Sequence, residues 1–493
     1  MFTVERFRAP TKPALVRAQV DQILKSDNHA TPTLQFMSQV KNFGAVGDGQ
    51  HDDTEAIRHC LAQGDGTLQF SRGKFRITSP IEIPLSTRGR TAVFGDGGVA
   101  TLIMDAPGPA LRFVGTHDKN ADPTSFKPGV WELERMPTVT QLEIVGAHDE
   151  AIGIQFEGTM QATIQGALIR NCRIGVHLVK RNRNFLLADS HIYDGRGPAI
   201  GVYFDHVNLH QANVVGCHIS YHKHAGIKVE GGEIRNFQIT GCDIEYNFDP
   251  AAENCADVWI DSREGTIREG TITSCTIQAK RSPGGANVRI EGAPDPLSKS
   301  VGLWTIAGNI IQSQDINLLL RSCRAVVVSG NSFCSGYDRS IVMEKCRNIA
   351  LGTNTIDFNP DYGGDRIDGI TISDSAACTL NGMIVQSARA GSPESGGAIH
   401  IARSSEMTLT GCQIIDPVHR GLHLEAVRNS VINGCTVLAR EPSPTLREAI
   451  LAQKCGPDVL IQHNLLGKGT RGDLIVENGS PTVSGNAAAE ISG

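Results

Sequence analysis

Aromatic residues make up 5% of this 493-residue chain. A core built mainly on large rings is therefore excluded. Long amphipathic helices are few, which argues against a helical bundle. No apolar run is long enough to span a bilayer, so helical membrane spans are excluded as well. The N-terminus, MFTVERFRAPTKPALVRAQV, lacks the apolar segment of a secretory signal. The chain thus reads as cytoplasmic, with a phage particle or a processed secreted form left open. An excess of one charge is also missing. The 46 basic and 52 acidic residues give a net charge of -6, spread along the chain. No basic stripe or polybasic segment stands out, so neither nucleic acid nor a membrane is an expected partner. Pairs of the C-x-x-C type are absent although there are 13 cysteines. That excludes a zinc ribbon or a dithiol redox motif, and the odd count suits buried thiols in a reducing compartment.

What the chain does have is glycine, 53 residues of it, and an internal repeat. From residue 138 onward an I-x-x-C/N-x-I segment, a polar loop and a G-I-x-V segment recur. Examples are VVGCHI with AGIKVEG, QITGCDI with ADVWIDS, and TITSCTI with ANVRIEG. The period is about 22 to 33 residues, the range of solenoids. Each half-repeat alternates apolar and polar residues, so the repeats are strands with no helix between them. The expected fold is an all-β parallel β-helix. Cys217, Cys242, Cys275, Asn309, Asn331, Asn354, Cys412, Cys435 and Asn464 fall in one column. Buried thiols and an asparagine ladder explain it. Cys323, Cys346 and Cys455 form a second column.

Residues 1–38 form a separate arm, with Val16, Val20, Ile23 and Leu24 on one helical face. Residues 39–114 hold a capping helix and the first coils. Residues 115–137 are a loop excursion, and 138–493 the main solenoid. In NFGAVGDGQHDDTEAI, Asp52 and Glu55 have capping-box spacing. Ile57, Cys60 and Leu61 then make a one-sided helix that covers the open end of the solenoid. Asp53 is read as part of this helix start.

The stretch VKNFGAVGDGQHDDTEAI followed by GTLQFSRGKFRI resembles the N-terminal signature of the pectate-lyase-like superfamily. That group includes polygalacturonase-type hydrolases, polysaccharide lyases and phage tailspike depolymerases. The resemblance implies a right-handed, single-stranded parallel β-helix and a carbohydrate partner, with a homotrimer as one assembly state. It does not carry over the polygalacturonase motifs: there is no G-H-G or R-I-K, and the sole D-D, Asp52-Asp53, lies in the cap.

Alternation orders the candidate site. Val202, Phe204, Ile227, Val229, Val258, Ile260, Val288 and Ile290 point inward. Tyr203, Lys228, Trp259 and Arg289 then form one outward column, and Asp205, Glu230, Asp261 and Glu291 the next. Stacked acids repel, which predicts raised pKa values among them. An exposed Trp259 suits a sugar face. Flanking loops add Asp243, Glu245, Asp249, Glu253 and Asp257, and His218, Tyr221, His222, His224, Lys280 and Arg281. The candidate catalytic acids are Asp243, Glu245, Asp257, Asp261, Glu230 and Asp205. The candidate substrate contacts are Trp259, Tyr203, Lys228, Arg289, Tyr221, His222 and His224. Histidines 218, 222 and 224 with Asp243 match no recognised metal spacing, so no metal is expected.

The leading expectation is hydrolysis of glycosidic bonds by a carboxylate pair, with no cofactor. A polysaccharide lyase, with Ca²⁺ neutralising a uronate, and a non-catalytic glycan-binding or tailspike-type protein stand beside it. Carboxylates on adjacent coils suit retention and those two coils apart suit inversion, so stereochemistry stays open.

Overall fold

A computed structural model describes residues 38–119, 123–361, 365–441 and 443–489 of the protein. Residues 1–37 of the expected helical arm lie outside the described residues. From Ser38 onward the chain winds as a right-handed parallel β-helix. Three faces recur along it. The first holds Ala225–Glu230, Ala256–Ser262 and Ala286–Gly292, each paired in parallel with the next. The second holds Glu233–Thr240, Thr266–Thr273 and Val301–Ala307. The third holds His218–Ser220, Asp243–Glu245 and Thr276–Gln278. Ile227, Val258 and Val288 stack in register and are fully buried, as the alternation predicts.

The few aromatic residues are concentrated in the core. Phe113, Phe156, Phe185, Phe204, Phe237 and Trp304 form a continuous stack with centroids 4.9 to 6.2 Å apart. Each such contact adds about 0.5–1.5 kcal/mol beyond area burial. Gly270 makes room for the last ring. A Cβ there would sit 2.5 Å from Trp304.

The cysteine and asparagine column is buried throughout. Asn309 accepts from the Cys275 N–H at 2.9 Å, Asn331 from the Asn309 N–H at 3.0 Å, and Asn354 from the Asn331 N–H at 3.0 Å. Asn464 and Asn486 extend the ladder to the last coil. Met383 occupies the coil between Asn354 and Cys412 and accepts from the Asn354 amide. In the second column Ser375 follows Cys346 and accepts its N–H. All 13 cysteines are free thiols.

The cap helix spans Thr54–Gln63 and buries Ile57, Cys60 and Leu61. Its start differs from the expected capping box. Asp52 accepts from Thr54 N–H and Oγ1, whereas Glu55 turns to Arg58. Asp53 is fully buried and accepts the N–H groups of Val46 and Gly47 at 2.7 and 3.0 Å. It ties down the preceding glycine turn. The excursion at 115–137 carries a short π-helical turn, Val130–Glu134, with Trp131 stacked on Phe126.

Candidate functional site

The first face carries the two expected columns in register. Tyr203, Lys228, Trp259 and Arg289 are partners on successive coils, as are Asp205, Glu230, Asp261 and Glu291. Two expectations fail here. Trp259 is not exposed: it is 7% accessible. Lys228 lies 4.7 Å and Arg289 4.9 Å from its ring, with His224 at 5.3 Å. The two long cations cover the indole from the adjacent coils. His224 is itself partly buried there, and burial, then the Lys228 charge, lowers its pKa to about 4.

The second failure concerns charge. Asp205, Glu230 and Asp261 are lowered, not raised, because each has a partner. His177 Nε2 lies 3.1 Å and His206 Nδ1 2.7 Å from Asp205, whose pKa falls to about 2, the His177 hydrogen bond contributing most. Glu230 accepts from Tyr203 at 2.5 Å and pairs with Lys228 at 2.9 Å. Burial opposes ionisation of Glu230, yet these bonds outweigh it and lower the pKa. Burial likewise opposes ionisation of Asp261, and Arg263 at 2.5 Å reverses it. Glu291 takes Arg289 and Arg321 at 2.7 and 2.6 Å. A depression of about 420 Å³ lies at the end of this face, lined by His206, Glu230, Asp261, Arg263 and Glu264. It suits polar binding more than proton transfer, since Glu230 and Asp261 are held ionised.

Asp257 and His222 also lie elsewhere than expected. Asp257 is fully buried and His222 is 2% accessible. They belong to a polar spine inside the loop corner. Asn247 accepts from His222 N–H at 3.1 Å and donates its N–H and its amide to Asp257 at 3.2 and 3.0 Å. Asn287 donates to Asp257 at 2.9 Å and accepts from Asn317 at 3.0 Å. Burial raises the Asp257 pKa well above its ordinary value and lowers that of His222 to about 4. Neither side chain reaches a substrate from these positions. Asp368 is also buried, against Arg366.

The third face brings together what remains. Asp243 and Glu245 alternate around buried Ile244, and His218 stands opposite Asp243 on the preceding coil. A carboxylate oxygen of each acid and a ring nitrogen of His218 lie within 4.8 Å of one another. Glu245 takes His218 Nε2 at 3.2 Å and Gln278 Nε2 at 2.5 Å. Asp243 reaches solvent but is hemmed in; partial burial, then the Glu245 charge, raises its pKa. Among the described residues three carboxyls are raised, Asp243, Asp257 and Asp368, and of these Asp243 alone faces solvent. Beside the pair, exposed Tyr221 stacks on Tyr246 with centroids 5.4 Å apart, and Lys280 lies 5.8 Å from the Tyr246 ring. Both tyrosines adopt positive φ, 59° and 54°, at the same corner of successive coils. Tyr246 was missed from the sequence, although aligning CHISY with CDIEY shows it. His177, His206 and Arg263 were missed because they act through neighbours in space.

Two donor groups resemble cation sites, His218–Asp243–Glu245 and His400–His423–Glu425. The first presents two carboxylates and an imidazole and fits a divalent cation. The second does not fit a metal. His423 Nδ1 accepts the Gly396 N–H at 3.0 Å, so the neutral ring carries its proton on Nε2 and neither nitrogen is free to ligate.

Comparison with known proteins agrees with the architecture. The family described as right handed beta helix region matches residues 135–272, and the rhamnogalacturonase A/epimerase, pectate lyase-like family matches 37–128. The family described as periplasmic copper-binding protein (NosD) matches 297–434. That segment contains the His400–His423 group, which lacks a free ligating nitrogen on His423. A pre-neck appendage protein of Bacillus phage B103 is 38% identical over 73 residues, 15% of this chain and 8% of that protein. A probable glucan endo-1,3-beta-glucosidase of Arthroderma benhamiae is 38% identical over 82 residues, 15% of this chain and 9% of that protein. The chain thus spans less than a tenth of the length of either relative. Among solved structures, the Dettilon tailspike protein shares 13% identity at a TM-score of 0.47, over 94% of this chain and 73% of that one. The mannuronan C-5 epimerase AlgE4 A-module of Azotobacter vinelandii shares 12% at 0.35, over 92% and 100%. No helix among the described residues is long and apolar enough to cross a membrane.

Proposed function

We propose that this chain, a pectate-lyase-like right-handed β-helix, cleaves glycosidic bonds of a polysaccharide at the Asp243–Glu245 pair. The observation that carries this reading is the environment of Asp243, a solvent-facing carboxyl with a raised pKa beside a second carboxylate. A carboxyl with a raised pKa holds its proton to higher pH and can protonate a leaving glycosidic oxygen. Glu245 is fixed by His218 and Gln278 and supplies the negative charge that the sugar cation needs. The close approach of the two acids favours direct attack by Glu245 over a water held between them. The Tyr221–Tyr246 stack offers a ring face for an adjoining sugar. Asp205, Glu230 and Asp261 serve binding in this scheme, not proton transfer.

The relatives' names point to polysaccharides and phage appendages, which supports a glycan partner and a location other than the cytoplasm. Hydrolysis is tested by incubating the protein with a panel of neutral, carboxylated and sulfated polysaccharides. New reducing ends without ultraviolet absorbance are expected. Unsaturated, absorbing products would replace hydrolysis by β-elimination, with a divalent cation at His218–Asp243–Glu245. No cleavage across the panel would leave a binding protein, a reading that the fully paired acids of the first face favour.

A further inference from the structure

The linear sequence shows no basic stripe, and the structure corrects that reading. On the second face one position per coil is repeatedly arginine. Arg183 is in register with His210, His210 with Arg235, and Arg235 with Arg268. The column runs on through Gly302 to Arg324 and Arg347. Adjacent members stand about 4.8 Å apart along the solenoid. Like charges at this spacing repel, and on the first face every acid in such a column has a counterion. Here Arg235, Arg268, Arg324 and Arg347 form no ion pair among the described residues. Their hydrogen bonds go to backbone and hydroxyl groups instead. Arg235 donates to Thr266 O at 2.9 Å, Arg268 to Lys299 O, and Arg324 to Leu297 O at 3.4 Å. A guanidinium has five donors, so most remain for a ligand.

The column is notched at its middle. Gly302 has no side chain, and a Cβ there would lie 2.2 Å from Arg324 O. The resulting depression, about 360 Å³, is lined by Arg268, Lys299, Gly302, Leu303, Arg324 and Ala325. Three cations and no acid line it. We infer that this arginine column binds a carboxylated or sulfated polysaccharide along the solenoid axis, with one anionic group seated in the Gly302 notch between Arg268 and Arg324. Arginine forks match carboxylate and sulfate oxygens in pairs. The coil spacing is close to the length of one sugar residue in an extended chain, so successive anionic groups meet successive arginines. Single-stranded nucleic acid fits less well, because it needs repeated ring platforms. Between Arg235 and Arg347 the column has none. The overall charge of -6 means that attraction of a polyanion must come from this local stripe.

The site lies on a different face from Asp243–Glu245, and binding here does not require cleavage there. The test is titration of the full chain with dextran sulfate, polygalacturonate, neutral dextran and a thymidine oligonucleotide, at several salt concentrations. Binding to at least one of the two charged glycans is expected, weakening steeply with salt, with none to neutral dextran. The triple variant Arg235→Gln/Arg268→Gln/Arg324→Gln should bind at least about tenfold more weakly. The Arg347 side chain makes no hydrogen bond among the described residues, so Arg347→Gln gives a second variant that spares the backbone ladder and should bind about two- to threefold more weakly. The distant Arg440→Gln should bind as the wild type does. Unchanged binding by folded column variants, or tighter binding of the oligonucleotide than of either charged glycan, would overturn the inference.

Discussion

Asp257 separates the structural reading from the catalytic one. Its carboxylate accepts three N–H groups, two from Asn247 and one from Asn287, in a fully buried corner. Asp257→Ala leaves these donors without that acceptor. The two side-chain amides keep other partners, Ile219 O and Gln312 O. Among the described residues the Asn247 backbone N–H has no other acceptor. At about 1–3 kcal/mol for the N–H left unsatisfied and about 0.5–1.5 kcal/mol for each of the two lost amide bonds, the cost is roughly 2–6 kcal/mol. Asp257→Asn loses mainly the bond from Asn287, about 1–2 kcal/mol, and removes the titration. The sign of the pH dependence follows from the raised folded pKa. The stabilising contribution of Asp257 is fully present below its ordinary value of 3.8 and is lost as pH rises toward the folded pKa. The gap between wild type and Asp257→Asn should therefore narrow as pH increases from 4. Urea unfolding followed by tryptophan emission reads both effects, since Trp259 lies two residues away. Turnover per folded molecule should stay within a few-fold of wild type. A fully stable Asp257→Ala protein that has lost turnover would refute the reasoning and return Asp257 to the catalytic set.

The cap and the ladder give two further expectations. Asp53→Ala leaves the Val46 and Gly47 N–H groups unpaired and should cost about 2–4 kcal/mol, seen as earlier urea unfolding of the N-terminal coils, with turnover unchanged. Asn331→Ala removes the acceptor for Asn309 N–H and the donor to Ile306 O, about 2–5 kcal/mol, whereas Asn331→Cys, a residue the column already uses, should cost less; thermal melts of the two variants check the order.

The fold was legible because a solenoid repeats its instructions. Alternation in GIKVEG, DVWIDS and NVRIEG assigned inward and outward residues correctly, and the columns followed from the register. What alternation does not show is how far a side chain reaches. Lys228 and Arg289 are long enough to fold over Trp259, so an outward ring became a buried one. Alternation also fails where a strand emerges from a loop. Asp257 turns into the corner because Asn247 and Asn287 stack there to receive it. The paired state of the acid column depended on His206, a positive-φ residue within Ile200–Val215, and Arg263, just past Ala256–Ser262, whose contacts the repeat pattern does not encode. The arginine column was readable, in EIRNFQI, TIREGTI, SCRAVVV and KCRNIAL, but only once its members were aligned by coil. A search for local charge runs passes over it.

The most direct test of the central claim is the turnover of Asp243→Asn on whichever polysaccharide the wild type cleaves, measured on protein with wild-type unfolding behaviour. Asparagine keeps the shape but cannot deliver the proton, so a loss of about 10²–10⁴-fold in kcat is expected. In the wild type the rate should also fall as pH rises through the raised Asp243 pKa. A variant that retains kcat within about threefold of wild type, well inside the range that loss of a general acid excludes, would contradict the account and move the chemistry away from the third face.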